Sequence, residues 1–527
     1  MQFRSLFSFL LTAIITIGLF WFSQIPLGVP EEWTWQRIPF VGPEMIPGWI
    51  VSGILFVVYL LVILIGLSRI KFCNRWELSI WLLGLAAMGI TWSLFLQDTP
   101  SAEYRLSKAP FVLYYEGSSG YFTEAQKSIP DVQQYLAGYE TKMKQGDVLH
   151  AGTHPPGLPL FYWDLIQLCK NFPALQSWLL NSQPASFHET TEIIANLTAA
   201  SENPFTPLDS AVLWLATLIT ITLSALTVIP LFLLAREFSS RKVSWQVAAF
   251  WPLIPAALIF QPKSDALYSS ISILFFYLWV LAWKRNSKPL YLLAGFMLWI
   301  GLFLTLAFLP VLLAAVLFSL FEVWRLRSDT DLSEPAWKQL FSAGFFGVLG
   351  LVIPITLMGV IFEINLLSVW ILNLKNHAGF YQQYPRTYWK WLLVNPIEIS
   401  LALGLPLMWL VTKSLCSRRL FVKHQEESPF DPGLKNLLLP CVIVLGMLWL
   451  SGKNMGEAAR LWIIFLPWFL IMTVPYWQII QMESSLNSSN PASFLKHQSV
   501  WIIALLAQAI VCIATVNRIT GFHFPPG

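Results

Sequence analysis

The sequence predicts an all-α membrane protein: a polytopic bundle of about 13 transmembrane helices with one large, partly helical extracytoplasmic loop. Three observations lead to this prediction. Hydrophobic residues make up 56% of the 527 positions and charged residues only 12%, whereas about a quarter of a soluble domain is charged. Apolar runs of span length recur along the chain. The basic residues fall in short clusters between these runs, as they do in membrane proteins.

The apolar runs give the predicted spans in order, because a helix needs about 20 residues to cross a bilayer. They are Leu6–Phe22, Trp49–Leu67, Leu78–Leu96, Ala211–Ala235, Val243–Phe260, Ala266–Trp283, Leu290–Leu306, Ala307–Val323, Leu340–Phe362, Ile397–Thr412, Leu437–Leu450, Leu461–Trp477 and Val500–Val516. Pro310 falls just inside the eighth run, so the seventh and eighth form either two short helices or one broken helix.

The first run follows Arg4 and has the length of a signal peptide. It lacks an Ala-x-Ala cleavage site and ends in the bulky Trp21 and Phe22, so we expect a retained first span. Residues 1–77 are then two added N-terminal helices. Residues 78–527 form the main module, with its long loop at 97–210.

Lysine and arginine clusters predict a cytoplasmic N-terminus and place the long loop outside. The net charge of +4 is small, which argues against nucleic-acid binding. Tryptophans near span ends predict an interfacial aromatic belt: Trp21, Trp49, Trp76, Trp283, Trp477 and Trp501. Five cysteines without CxxC or regular spacing predict no disulfide framework.

The densest motif is Asp147-Val-Leu-His-Ala-Gly-Thr-His-Pro-Pro-Gly157. Its two prolines fix the backbone after His154, and Gly157 permits a sharp bend. The apolar run that follows is too short to span and predicts a helix lying on the membrane. His154 is therefore a candidate ligand of a phosphate or sugar, or simply a helix cap. His150 lies four residues before it, but Gly152 and the prolines argue against a helical metal site. The sequence contains no other metal motif, and it leaves open whether the protein uses a divalent cation as a cofactor.

Loop carboxylates supply candidate general bases. Asp98 follows the third span directly, and Glu124 lies further along within Gly120-Tyr-Phe-Thr-Glu-Ala125. A sugar transferase needs one carboxylate to accept the proton of the attacking hydroxyl. Each of the two is alternatively a solvated loop residue.

Charged residues before two later spans supply candidate phosphate ligands. Glu457 and Arg460, three residues apart in Gly456-Glu-Ala-Ala-Arg-Leu-Trp462, share a helix face and can pair. Arg460 could clamp a lipid phosphate, and the alternative is an interfacial salt bridge. In Gln261-Pro-Lys-Ser-Asp-Ala266, Lys263 is a second cation, whereas Ser264 or Asp265 would cap the next helix.

An aromatic, weakly basic outer loop is predicted around Asn376-His377 and from Tyr381 to Trp391. His377 is a candidate contact for a sugar or lipid there. All these charged groups lie on the predicted outer side, which suggests one site at that interface, although polar outer loops are common.

Together these residues resemble the C-type (GT-C) superfamily of membrane glycosyltransferases, especially bacterial relatives of protein mannosyltransferases and lipid A aminoarabinose transferases. The resemblance covers about Leu78 to Val516. It depends on the long loop, His154-Pro-Pro-Gly157, the Pro262–Asp265 turn, Leu293-Ala-Gly295 and Gly456-Glu457…Arg460-Leu-Trp462.

The resemblance implies a helical membrane core with partly helical outer loops, in a bacterial inner membrane. It also implies an inverting transfer from a polyprenyl-phosphate sugar, bound from the outer side, to a glycan, lipid or protein acceptor. Family members often carry an Asp-Glu pair before an aromatic residue early in the loop. Here Asp98 is unpaired and Gly120-Tyr121 lacks the acid, so the base stays open between Asp98 and Glu124.

Rival functions remain at this stage. A transporter or flippase of lipid-linked glycans should carry ionisable residues deep within its spans. The predicted spans are almost free of them, which favours chemistry at the interface. A non-catalytic scaffold and an O-antigen-type polymerase or ligase share the topology.

Overall fold

Ten long apolar helices dominate the computed structural model, which describes residues 2–146, 152–327, 333–417, 430–486 and 491–522. By length and composition these ten helices can each cross a membrane, and a bent pair raises the number to 11 within the described residues. The protein is therefore an all-α, polytopic integral membrane protein. The division at residue 77 stays a prediction.

The helices of the membrane core follow the apolar runs. They are α1 (Gln2–Ile17, continued by a π turn at Gly18–Phe22), α2 (Gly42–Arg69), α3 (Arg75–Leu96), α10 (Pro207–Leu226), α11 (Val228–Arg236), α12 (Arg241–Ala248), α13 (Ala256–Ile259), α14 (Asp265–Arg285), α15 (Lys288–Leu304), α16 (Leu309–Arg327), α17 (Ser333–Phe362), α19 (Tyr388–Leu403), α20 (Leu405–Leu415), α21 (Pro432–Leu450), α23 (Leu466–Ile471), α24 (Val474–Leu486) and α25 (Pro491–Arg518).

Shorter elements surround this core. The long loop contains α4 (Lys108–Tyr114), α5 (Tyr121–Ser128), α6 (Val132–Met143), α7 (Gly157–Asn171), α8 (Pro173–Asn181) and α9 (Ala185–Thr198). Outside it are α18 (Leu366–Gln383) and α22 (Ala458–Leu461). Short 3-10 turns occur at Ala102–Tyr104, Trp251–Leu253, Leu306–Phe308 and Ile463–Phe465. Strands β1 (Gly28–Val29) and β2 (Trp33–Thr34) pair antiparallel, as do β3 (Gln36–Arg37) and β4 (Ile519–Thr520).

We call the end of the bundle that carries the long loop the loop end. Helix α14 runs from Asp265 at the loop end to Arg285 at the opposite end, a distance of about 30 Å. Strands β3 and β4 join the N-terminal segment to the end of α25. The N-terminal segment thereby becomes part of the loop end.

Three predicted spans differ from the structure. Leu290–Leu306 corresponds to α15, a 17-residue helix that is not among the ten and is separated from α16 by the 3-10 turn at Leu306–Phe308. Val243–Phe260 is not one helix, because Pro252 and Pro255 divide it into α12, a 3-10 turn and α13. All its residues from Val243 on are nonetheless buried, which explains its span-like hydrophobicity. Ile397–Thr412 corresponds to α19 and α20, which meet at an angle of 109°. Gly404 at the bend has φ +96°, and a Cβ there would lie 2.4 Å from Gln508 Nε2.

The prediction of an interfacial aromatic belt is only partly correct. Trp76 is exposed, as an interfacial residue would be, but Trp283, Trp477 and Trp501 are buried inside the protein. Trp501 Nε1 donates to the carbonyl of Gln246 at 3.2 Å. These three tryptophans therefore pack inside the helix bundle. Trp501 also has an acceptor for its indole N–H, whereas Trp477 Nε1 is buried without one among the described residues.

Candidate functional site

Charged side chains from two distant segments meet at the loop end. Arg460 Nη2 lies 2.9 Å from Glu457 Oε1, and Arg460 Nε lies 3.8 Å from Asp265 Oδ2. Lys263, in the turn before α14, is close enough for its charge to interact with all three. We call Lys263, Asp265, Glu457 and Arg460 the charged cluster. The predicted pairing of Glu457 with Arg460 is confirmed.

Local backbone geometry presents these side chains. Gly452, Asn454 and Gly456 all have positive φ, so the chain between α21 and α22 turns sharply before Glu457. A Cβ on Gly456 would lie 3.2 Å from Arg386 Nε. Ser264 precedes α14 but makes no capping bond; its hydroxyl instead accepts a hydrogen bond from Tyr268 at 3.2 Å. The cap explanation for Ser264 is therefore wrong.

Arg460 is the centre of the charged cluster. Burial alone would lower its pKa, but Glu457 and Asp265 outweigh that effect and raise it. Its Nε is buried, and 3.8 Å from Asp265 is too long for a hydrogen bond. Within the described residues this donor has no acceptor, so Arg460 retains a donor for an anionic ligand.

The pKa of Lys263 is shifted in the opposite direction from that of Arg460. Burial and the like charge of Arg460 lower its pKa to about 7, while Asp265 and Glu457 act against the shift. Its Nζ lies 5.9 Å from the centre of the Phe522 ring. Lys263 therefore gains or loses a proton near neutral pH, and an added anion would favour its charged form.

A cavity of about 160 Å³ opens beside the charged cluster. Lys263, Glu457 and Arg460 form its polar side. Its other walls are mostly aromatic and come from the N-terminal segment, α4, the end of α13 and the C-terminal end. They include Trp33, Phe111, Tyr115, Phe260 and Phe522. Such a mixture of apolar walls and a few converging polar groups is typical of a ligand site.

His377 also lies near the cluster. It is part of α18, so the predicted outer loop around Asn376-His377 is in fact helical. Burial and Lys453 lower the pKa of His377, while Glu457 acts in the opposite direction. One turn later, the Tyr381 hydroxyl accepts a hydrogen bond from the Met455 N–H at 2.9 Å. Helix α18 thus contacts the segment that presents Glu457.

His154 approaches the cluster through a tyrosine. Its ring packs edge-on against Tyr121 at 5.6 Å, and its carbonyl accepts from the Tyr139 hydroxyl at 3.0 Å. Tyr121 is buried and interacts electrostatically with Asp265 and Arg460, although burial is the main reason that its pKa is raised. Gly157 begins α7, where a Cβ would lie 2.3 Å from the Phe303 carbonyl oxygen.

His150 lies outside the described residues. The described part of the chain contains no group of three or more His, Cys, Asp or Glu residues with a metal-binding arrangement.

The two candidate bases have other partners. Asp98 lies beside Arg105 and Ser186, and burial raises its pKa more than these two contacts lower it. The Glu124 carboxylate pairs with Lys142 and lies beside Tyr135. Neither carboxylate lines the cavity. Their role as the base stays a prediction.

Sequence reasoning missed two further carboxylates near the site. Glu32 accepts hydrogen bonds from the Thr387 N–H at 2.9 Å and the Trp391 indole at 2.6 Å. Glu398 is 3% exposed and accepts from the Trp35 indole at 3.1 Å. A lone acid inside an apolar run is a signal that could have identified Glu398. No local pattern distinguishes Glu32 from its neighbour Glu31.

Comparison with known proteins adds no family assignment. No protein-family model and no curated protein sequence matches this chain.

Proposed function

We propose that this protein is a membrane glycosyltransferase that moves a sugar from a polyprenyl-phosphate donor to an acceptor at the loop end, with inversion at the anomeric carbon. The proposal places the loop end outside the cytoplasm of a bacterial inner membrane, with the N-terminus inside. The observation that carries it is the aromatic cavity in which Lys263 and Arg460 stand beside Glu457.

The donor chemistry suits this cavity. A lipid-linked sugar phosphate combines a negative charge, a hydroxyl-rich ring with apolar C–H faces, and a long hydrocarbon chain. Lys263 and the spare Arg460 donor would hold the phosphate. Trp33 and Phe522 would pack on the sugar, and Glu457 would accept from its hydroxyls. Asp265, His154 and His377 lie around the cavity and would help to position the residues that contact the donor.

The transfer requires a base. The acceptor hydroxyl loses its proton to a carboxylate while its oxygen attacks the anomeric carbon. The bond from that carbon to the phosphate oxygen breaks, and polyprenyl phosphate leaves with its charge balanced by Lys263 and Arg460. Asp98, whose pKa is raised by burial, is better suited to accept a proton than an unperturbed carboxylate. Glu124 is the competitor, since α5 also carries Tyr121 toward the cluster.

The test is release of polyprenyl phosphate from a panel of lipid-linked sugars by the purified full-length protein. We expect turnover by the wild type, and a loss of at least about 100-fold in either Asp98→Asn or Glu124→Gln. Glu116→Gln is the matched control, because Glu116 is a loop glutamate that pairs with Lys127 at 2.7 Å and is exposed. It should keep wild-type turnover.

Wild-type turnover in both Asp98→Asn and Glu124→Gln would show that neither residue is the base and would reject that part of the proposal. No turnover with any donor would reject the enzyme itself.

One observation favours a second function, transport of lipid-linked glycans. Buried Glu398 lies in the last two turns of α19, which ends at the 109° bend, and broken helices with buried ionisable residues are typical of transporters. Uptake of the same lipids into vesicles, lost in Glu398→Gln and unaccompanied by donor cleavage, would establish transport instead.

A further inference from the structure

A second cavity lies at the opposite end of the bundle. It has a volume of about 510 Å³ and lies between the start of α15 and the first turns of α17. This is within the range of small-ligand pockets, about 300–1,000 Å³. The cavity is about 30 Å from the charged cluster, the length of α14, and is independent of the proposed function.

The polar side of this cavity is basic. Lys288 and Lys338 line it together with the amides of Asn286 and Gln339. Lys288 Nζ lies 5.5 Å from the centre of the Phe346 ring, which holds this ammonium at the cavity wall. Two ammonium groups on one side of the cavity favour an anionic ligand.

The other side is apolar and open to lipid. Phe341 and Phe345 line the cavity and are 77% and 55% exposed. With Val348 they are spaced at i, i+4 and i+7, so they form one stripe along α17. Only 17% of the apolar window of α17 is buried, the smallest share among the ten candidate spans. The stripe thus leads from the two lysines toward the hydrocarbon of the membrane.

A close helix contact keeps this arrangement in place. A Cβ on Gly295 of α15 would lie 2.0 Å from the Gly347 carbonyl oxygen of α17, and one on Gly350 would lie 2.1 Å from the Leu292 carbonyl oxygen. Small residues allow two helix backbones to approach closely in a membrane. The close contact therefore fixes the backbones of α15 and α17, from which Lys288 and Lys338 extend.

We propose that this cavity binds an anionic phospholipid, with its phosphate between Lys288 and Lys338 and an acyl chain along Phe341, Phe345 and Val348. Two cations at a membrane surface next to an apolar stripe match both parts of such a lipid. A free phosphate would use only the polar half.

The test measures lipid binding to the full-length protein in neutral detergent by native mass spectrometry, with dioleoylphosphatidylglycerol and dioleoylphosphatidylcholine as matched probes. Wild type should prefer phosphatidylglycerol. Each lysine near an anionic lipid contributes about a factor of five, so Lys288→Gln/Lys338→Gln should bind phosphatidylglycerol about 25-fold more weakly. Binding of phosphatidylcholine should not change.

Lys413→Gln is the matched control, because Lys413 also ends an apolar helix and lies 5.7 Å from the Trp409 ring centre. It should bind like wild type. Lys288→Arg/Lys338→Arg should keep the lipid preference, which separates charge from misfolding. Unchanged phosphatidylglycerol binding in the glutamine variant would overturn the proposal. Displacement of the lipid by millimolar inorganic phosphate would instead indicate a site for a soluble anion.

Discussion

Two glutamate–arginine pairs with the same spacing occur at opposite ends of the bundle. Glu322 and Arg325 on α16 are joined at 2.7 Å, and Glu457 and Arg460 are joined at 2.9 Å. In both, the glutamate precedes the arginine by three residues. Glu322 and Arg325 both lie within α16, whereas Glu457 is the residue before the four-residue helix α22. Their surroundings differ.

The Glu322–Arg325 pair on α16 is buried at its carboxylate, and both carboxylate oxygens have a partner. The Glu322 side chain is 6% exposed, and its second oxygen accepts from Asn436 Nδ2 at 2.7 Å, which ties α16 to α21. Arg460 instead faces a second acid, a second cation and an aromatic cavity, and it retains a buried donor without an acceptor among the described residues. The same short motif thus stabilises helix packing in one place and forms a candidate binding site in the other.

The largest expected effect separates the two arginines directly. Arg460→Gln should lower donor turnover by at least about 100-fold, since removal of one donor to a developing charge costs about 10²–10³ in rate. Arg325→Gln should leave turnover per folded molecule within about threefold, because Arg325 pairs with Glu322 at the end of the bundle opposite the charged cluster. Turnover is measured beside the melting temperature of each variant.

A comparable loss of turnover in both variants would show that the difference between the pairs is not functional. Arg460→Lys serves as a further check, since it keeps the charge but removes the planar fork, and we expect it to recover only part of the activity.

Sequence reasoning identified most of the fold because apolar runs of span length are a strong signal. It failed where an apolar run is buried by protein rather than lipid. Val243–Phe260 is as hydrophobic as a span, and only Pro252 and Pro255 indicate that it is divided. Hydrophobicity alone does not distinguish these two environments.

The charged cluster was partly predictable because alternating spans bring Lys263, Asp265, Glu457 and Arg460 to the same membrane face. Topology gives the face but no distances, so Asp98 and Glu124 were placed beside them on the same argument, whereas the structure gives these two acids other partners. The contribution of Trp33 depends on tertiary pairing of the N-terminal segment, for which no local pattern exists.

The next effect concerns pH and sharpens the contrast between the two ends. The pKa of Lys263 is lowered to about 7, so the free protein loses this charge as pH rises above neutrality. A donor phosphodiester keeps its charge over this range and favours protonated Lys263. The affinity for the donor should therefore fall about tenfold between pH 6.5 and 8. The affinity of the opposite-end cavity for phosphatidylglycerol, measured over the same pH range, serves as the reference for this pH dependence.

Lys263→Arg provides the control for this pH effect, because arginine stays charged throughout the range. Its donor affinity should be nearly independent of pH when measured by titration of the lipid-linked sugar in nanodiscs. A wild-type affinity that does not change with pH would contradict a role for Lys263 in phosphate binding.

The smallest effect concerns Glu32, an acid at the loop end whose partners are as complete as those of Glu322. Burial would raise its pKa, but hydrogen bonds from Thr387 and Trp391 and the charge of Lys390 lower it to about 2. Because this folded-state pKa is below the ordinary glutamate value of 4.5, the contribution to stability is present above pH 4.5 and is lost as pH falls toward 2. Glu32→Gln should therefore destabilise the protein at pH 7 by about 1 kcal/mol, with a difference in melting temperature that shrinks between pH 4.5 and 3.

Glu31→Gln makes the same charge change at an exposed neighbouring position and should leave the melting temperature unchanged. If Glu32→Gln lowers stability but leaves turnover within about threefold, then an acid can lie beside the cavity and still be purely structural. Function would then depend on spare hydrogen-bonding capacity, as at Arg460, rather than on position at the loop end. If Glu32→Gln instead abolishes turnover without loss of stability, then an acid with a full set of hydrogen-bond partners also takes part in function. In that case the N-terminal segment belongs to the catalytic site.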